Sequence, residues 1–230
     1  MKTSRPARKI TKNYRSLTGV HNNVGNPHYS DFESSLERDF FLLLEFDREV
    51  QQYKAQPLTI VFENSGGETK EFTPDALVTT KNPDKGIVEH TLYEVKYREQ
   101  LKDSWSEFKP RFKAAIRFAK LHGWKFKIIT EKEIRTPYLD NITFLKPHFR
   151  ETRFSPRAFQ ILEYLAEVGE STPRQIIESM SSHKMTQAEL LFAVWQLVAR
   201  QYILADLTVT LTMNSRIKVA KIWEGYVHEE

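Results

Sequence analysis

The chain is 230 residues long and 40% hydrophobic, with 34 Lys and Arg against 30 Asp and Glu, 8 Gly, 10 Pro and no Cys; this length and apolar content can bury one large core or two smaller ones, which excludes a fully disordered chain. Without cysteine there is no disulfide framework, thiolate zinc site or cysteine nucleophile. No apolar run approaches the roughly 18 residues of a membrane span, nor does the start carry the apolar stretch of a signal peptide, so a soluble, cytoplasmic protein is expected.

Six basic residues, Lys2, Arg5, Arg8, Lys9, Lys12 and Arg15, precede the first acidic one, Asp31, and subtracting them from the net charge of +4 leaves −2 for the rest. Residues 1 to 30 mix Lys, Arg, Ser, Thr, Asn, Gly and Pro with no sustained period, the composition of a basic arm that does not pack by itself. From Asp31 the spacing of Phe32, Leu36, Phe40, Leu43 and Leu44 predicts a helix with Asp31 as N-cap. Pro57 to Phe62 is β-branched and aromatic, and Asn64 to Gly67 supplies a turn before Glu68 to Phe72, which predicts a hairpin. Another strand starts at Thr73-Pro74-Asp75, since Pro is tolerated at a strand's beginning. After a turn at Asn82 to Gly86, a further strand covers His90 to Tyr97. Residues 103 to 121 return to helical spacing through Trp105, Phe108, Phe112, Ala115, Ile116 and Ala119, and Lys125 to Thr130 reads as a short strand. Helix, three strands, helix and strand indicate an α/β domain over residues 31 to 150 with a mixed sheet.

A second domain is expected over residues 151 to 230. Ser155-Pro156 reads as an N-cap followed by Pro, Thr172 to Gln175 as Pro with a capping box, and Thr186 to Glu189 as a second capping box. Short strands follow at Tyr202 to Asp206, Leu207 to Thr212 and Arg216 to Trp223. Three helices and a hairpin in that length suggest a winged-helix-like domain, with Trp195, Trp223 and Phe159 expected in its core.

Hydrolysis of a phosphodiester with a divalent metal needs carboxylates from different elements converging on a hard cation, and a protein cation near the attacking water or the phosphate. Many nucleases meet this with Pro-Asp at the start of one strand and Asp/Glu-x-Lys on the next. Here the candidates are Pro74-Asp75 and, nineteen residues later, Glu94-Val95-Lys96. Glu-x-Lys occurs three times, but Glu68 precedes the Pro-Asp beside a turn, and Glu107 lies in a helix, where positions i and i+2 diverge by about 200°. Only Glu94 and Lys96 share one face of a strand. The alternative is that they are an ordinary surface ion pair. Glu37 shares its helix face with Phe40, Phe41 and Leu44, so its carboxylate needs a metal, partial exposure, or a cation such as Arg38 or Lys54. The seven His show no His-x-His or His-x-x-x-His spacing, which speaks against zinc. No Gly-rich phosphate loop is present.

The blocks Phe32 to Asp47, Gln56-Pro57-Leu58-Thr59-Ile60, Thr73-Pro74-Asp75 and Tyr93-Glu94-Val95-Lys96, taken in order, resemble those of TnsA, the endonuclease subunit of heteromeric transposases in Tn-seven-like elements. Arg15-Ser16-Leu17-Thr18-Gly19 is similar to the segment that precedes the first block. The resemblance implies a restriction-endonuclease-like PD-(D/E)xK core that cuts the 5′ (non-transferred) strands at transposon ends, while a DDE transposase subunit cuts and joins the 3′ ends under an AAA+ ATPase regulator. It further implies Glu37, Asp75 and Glu94 as metal ligands with the Val95 carbonyl, Lys96 as the group that orients the attacking water, and Mg²⁺ as the metal, with Mn²⁺ as substitute. In some relatives the position of Glu94 is Gln. Beyond residue 130 the likeness is one of general design.

Transposon-end DNA is expected to meet the arm's six cations and the face of helix 103 to 121 formed by Lys109, Lys113 and Arg117, by phosphate contact. A solubilising tail and a solvated helix face are the alternatives. The third helix of the second domain, from Gln187 to Gln201, holds Glu189 and no Lys or Arg before Arg200. Base readout there would fall to Gln187 and Gln196, so protein docking is the better expectation. Two other functional readings stand beside the first: a stand-alone restriction or repair nuclease, and a noncatalytic DNA-binding adaptor.

Overall fold

The computed structural model describes residues 19–22, 29–32, 34–64, 66–81, 86–150, 153 and 155–220. The chain divides into two compact units, Met1–Arg135 and Thr136–Glu230. The expected change of domain lay near residue 150. The helix Pro137–Arg150 goes with the second unit because it packs on the helix Lys184–Ala199, where Phe144 meets Trp195 edge-on at 5.3 Å and His148 meets Phe192 at 5.0 Å.

In the first unit β1 (Gly19–Asn22) pairs antiparallel with β2 (Tyr29–Phe32), so the end of the expected arm takes up strand structure. Asp31 and Phe32 therefore belong to β2, not to the following helix. Helix α1 (Ser35–Phe46) is capped instead by Ser34, whose Oγ accepts from the Glu37 N–H at 3.2 Å. Buried Phe40 and Phe41 lie against Tyr93 and Tyr53, with ring centroids 5.1 and 5.3 Å apart.

Strands β3 (Val50–Ala55), β4 (Ile60–Glu63), β5 (Thr69–Phe72), β6 (Ala76–Lys81), β7 (Val88–Val95) and β8 (Lys125–Ile129) follow. The main sheet has four strands in the order β3-β6-β7-β8. Its first two pairings are antiparallel and β7–β8 is parallel, which makes the sheet mixed as expected. The parallel pair requires a crossover, supplied by α2 (Arg98–Asp103) and α3 (Trp105–Leu121). The expected hairpin, β4 with β5, forms a two-stranded sheet of its own and packs on α3, where Ile60 and Phe72 join Leu92, Phe108, Phe112, Ala115 and Ala119 in one core. Leu92 thus points toward α3, while its neighbour Tyr93 points toward α1. A short helix α4 (Glu131–Ile134) closes the unit, with Thr130 and Glu133 capping each other.

The second unit runs α5 (Pro137–Arg150), α6 (Ala158–Val168), β9 (Glu170–Ser171), α7 (Pro173–Met180), α8 (Lys184–Ala199), β10 (Ile203–Ala205) and β11 (Ile217–Val219). Ile161, Leu165, Ile176, Leu190, Leu197 and Ile203 form its fully buried core, and the three strands order as β10-β11-β9. Thr172 caps α7 as expected, with its Oγ1 accepting from the Gln175 N–H and Pro173 at the first position. Three local expectations are corrected. Ser155 closes a turn ahead of α6 by accepting from the N–H groups of Arg157 and Ala158, so that helix starts later than Ser155-Pro156 suggests. Thr186 lies inside α8, whose first turn is already bonded from the Gln187 N–H to the His183 carbonyl. Leu207 to Thr212 is no strand. Buried Asn141 claims that segment, donating to the carbonyls of Leu207 and Val209 at 2.9 and 2.7 Å and accepting from the Leu211 N–H at 2.9 Å. Trp195 is buried as expected, Phe159 is 59% exposed, and Trp223 lies outside the described residues.

Candidate active site

Asp75 stands one residue before β6, and two backbone N–H groups fix it. Its backbone carbonyl accepts from Gln56 N–H at 2.9 Å. Gln56, the residue after β3, sits in the left-handed region at φ 44° and so turns the chain there. The carboxylate reaches across to the adjacent strand, where Oδ2 accepts from the Val95 N–H at 2.6 Å. The pairing of Ala76 with Tyr93 sets this register and brings Pro74-Asp75 beside Glu94-Val95-Lys96.

The two-residue period sends Glu94 to the side of Leu92 and α3, and burial there is almost complete, at 3% side-chain exposure. Lys96 supplies the compensating charge. Its Nζ lies 2.9 Å from Glu94 Oε1, 3.1 Å from the Val95 carbonyl oxygen and 3.6 Å from Asp75 Oδ2. Burial, reinforced by the negative charge of Asp75, pushes the Glu94 carboxyl up to about 8 despite Lys96 and Arg111. For Lys96, burial pulls the ammonium down, but Asp75, Glu94 and Glu37 together outweigh it and hold the pKa above that of a free lysine. An exposed surface pair, the alternative for Glu94 and Lys96, does not fit these burials.

Glu37 is buried on α1, and its Oε1 accepts from the Ser34 hydroxyl at 3.0 Å. Of the two cations considered for it, Arg38 pairs with Asp39 at 2.7 Å. The field of Glu37 reaches the site, since it is one of the charges acting on Lys96. Among the described residues no group of three or more His, Asp or Glu is placed to hold a metal ion. What converges is two carboxylates and one carbonyl. Three hard oxygens, from Asp75, Glu94 and Val95, face a single cation, the Lys96 ammonium. Glu94 Oε2 is buried with no hydrogen-bond partner. A donor set of this chemistry with an orphaned carboxylate oxygen fits Mg²⁺ or Mn²⁺.

Lys109, Lys113 and Arg117 lie on the exposed side of α3, opposite the Phe108, Phe112, Ala115 and Ala119 core, and so are not gathered with the carboxylates. Lys2, Arg5, Arg8, Lys9, Lys12 and Arg15 lie outside the described residues. In the second unit, Gln196 donates to the Arg153 carbonyl and accepts from the Ser155 N–H, and Gln187 donates to the Ser181 carbonyl. Both are engaged within the unit.

Sequence reasoning missed three features. Asp39, buried in α1, binds Arg135 at 3.0 Å, and Arg135 also donates to Ser35 and lies over Tyr97, which ties α1 to the end of α4. An open groove of about 650 Å³ beside the end of β7 is lined by Arg98, Leu101, Lys102, Trp105, Thr130 and Glu133. Arg111, counted only as one cation among several on α3, turns inward over Phe108. The one signal for it in the sequence is its place three residues after Phe108, on the apolar face.

Residues 47–131 match the model of the TnsA-like endonuclease N terminal, a span that contains Asp75, Glu94 and Lys96, and residues 133–207 match that of the TnsA endonuclease C terminal. The junction between the two matches falls close to the division of the fold at Arg135. No curated protein matches the chain. With the two models covering most of its length, the chain belongs to the TnsA family of transposition-associated endonucleases.

Proposed function

We propose that the chain hydrolyses one phosphodiester in each non-transferred strand at the 5′ ends of its transposon, beside a DDE transposase subunit that cuts and joins the 3′ ends and under an AAA+ ATPase regulator. The observation that carries this is the position of Lys96, whose ammonium is fixed against Glu94, the Val95 carbonyl and Asp75 where two adjacent strands meet. Pro74-Asp75 before one strand and Glu94-x-Lys96 on the next, in a mixed sheet, support the PD-(D/E)xK reading of the core.

Mg²⁺, or Mn²⁺ in its place, would be held by Asp75, Glu94 and the Val95 carbonyl, with Glu37 acting through its charge, and when bound it supplies the positive charge that lowers the pKa of the attacking water. The protein's own groups do the positioning. Lys96 donates to the water and to the phosphate as negative charge grows on it. Asp75 is kept in line by the Val95 N–H, and burial keeps bulk water from Glu94. The groove with Arg98, Lys102 and Trp105 offers charge and an aromatic face to the DNA beside the cut.

The order helix, short strand, helix, helix, two strands from α6 to β11 supports a winged-helix-like design for the second unit. With Gln187 and Gln196 engaged internally, we assign it to docking of the transposase and the ATPase rather than to reading bases. The test is cleavage of end DNA by the complete set of partners. Asp75→Ala removes 5′-strand cutting while 3′ joining persists; normal 5′ cutting by that variant would refute the assignment.

A further inference from the structure

Arg111 is the one charged group of α3 that turns toward the sheet. Its guanidinium carbon sits 4.0 Å from the centre of the Phe108 ring and 5.8 Å from that of Phe72, which precedes Asp75 by three residues. Phe72 and Phe108 share one core with Leu92, which lies two residues before Glu94 on the same face of β7, so Arg111 stands on the Glu94 side of the sheet. The same guanidinium has a buried Nε with no hydrogen-bond partner, and no ion pair joins it among the described residues. A buried donor left idle is costly unless an acceptor completes it. Contact with the Phe108 ring restrains the guanidinium in advance, and its planar fork suits the paired oxygens of a phosphodiester.

We propose that Arg111 contacts the substrate: its guanidinium donates to a non-bridging oxygen of the strand being cut, at the scissile phosphate or the one next to it. This rests on the reading of Asp75, Glu94 and Lys96 as the endonuclease site. Arg111 then neutralises the phosphate from the α3 side while Lys96 serves it from the β7 side. The exposed Lys109, Lys113 and Arg117 have no such share in the reaction.

The test uses the full chain with its partners on end DNA, comparing wild type, Asp75→Ala, Arg111→Gln and Arg111→Lys, with methylphosphonate, a neutral phosphate analogue, placed singly at positions flanking the cut. The Gln variant keeps the stem over Phe108 and should cut about 100-fold more slowly, with the Lys variant recovering part of that loss. Wild type should slow at one flanking methylphosphonate, and the Gln variant should slow no further at that same position. If the Gln variant fails to fold, the Lys variant is put through the same series and should show a reduced penalty at that position. Cutting by Arg111→Gln within about threefold of wild type, or an undiminished methylphosphonate penalty at every flanking position, overturns the proposal while leaving the site intact, provided that Asp75→Ala is inactive. An active Asp75→Ala overturns the site reading, and the role of Arg111 with it.

Discussion

Val95 donates its backbone N–H to Asp75 Oδ2 at 2.6 Å, so the same carboxylate joins the two strands and faces Lys96. Structure and chemistry at Asp75 are therefore separable by choice of substitution. Asp75→Ala leaves the Val95 N–H without its acceptor, which costs about 1–3 kcal/mol. Asp75→Asn keeps an oxygen in place and should melt within about 1 kcal/mol of wild type. Both should lose end cutting, because neither retains the charge. Thermal melting alongside the cleavage assay checks this, and a cutting-competent Asn variant would show that the charge is dispensable.

The site's strands were legible because each carries a signal of its own. Pro74 marks the start of β6, and alternation around Leu92 and Val95 marks β7, so Asp75, Glu94 and Lys96 could be placed on neighbouring strands from spacing alone. Strand β3 was not legible. At the edge of the sheet only Tyr53 is buried, and Val50-Gln51-Gln52-Tyr53-Lys54-Ala55 shows no apolar alternation. The cap at Ser34 and the pairing of Asp39 with Arg135 were hidden for different reasons. Asp31 offers the same local signal as Ser34, and the ion pair joins residues far apart in sequence. Helix α5 went unread because its partner is α8, and nothing in residues 137–150 announces that. Arg111 was lost among five cations on one helix, since only the fold says which of them turns inward.

Glu94 makes stability depend on pH. Its carboxyl ionises near 4.5 when unfolded and near 8 when folded, so between those values the unfolded chain has released a proton that the folded chain keeps. The stability linked to this group is fully present below about 4.5 and is lost as pH rises through about 8. Glu94→Gln mimics the protonated form and should be the more stable protein at pH 8, with the difference closing near pH 4.5. If Mg²⁺ binds as proposed, it competes with that proton and should raise the wild-type melting temperature more at pH 8 than at pH 6; at a hundred times its Kd it stabilises the fold by about 2.7 kcal/mol. Melting curves across pH, with and without Mg²⁺, measure both effects. A Gln variant less stable than wild type at pH 8 would contradict the first, and a Mg²⁺ effect unchanged in Asp75→Asn would contradict the second.

Asn141 makes three hydrogen bonds to residues 207–211 from a buried position on α5. Asn141→Leu preserves volume but strands two carbonyls and one N–H. A loss of about 2–4 kcal/mol is expected, confined to the second unit, because the partners lie within it. Hydrogen exchange should show the Leu211 amide losing protection while the sheet amides around Val95 keep theirs. Equal loss in both units would mean that they unfold as one.

The arm offers a test that does not depend on its conformation. Lys2, Arg5, Arg8, Lys9, Lys12 and Arg15 outweigh a remainder of net −2. If the arm carries phosphate contact, each neutralised phosphate contributes about 0.9 to the slope of log K against log salt. Removing residues 1–15 should then lower that slope by up to about 5 and weaken binding most at low salt. The melting shift with Mg²⁺ should stay as in the full chain if the arm serves the DNA alone. Fluorescence anisotropy over a salt series gives the slope directly. An unchanged slope would move the phosphate contacts to α3 and the Arg98 groove, and alanine substitutions at Lys109, Lys113 and Arg117 would then have to account for it.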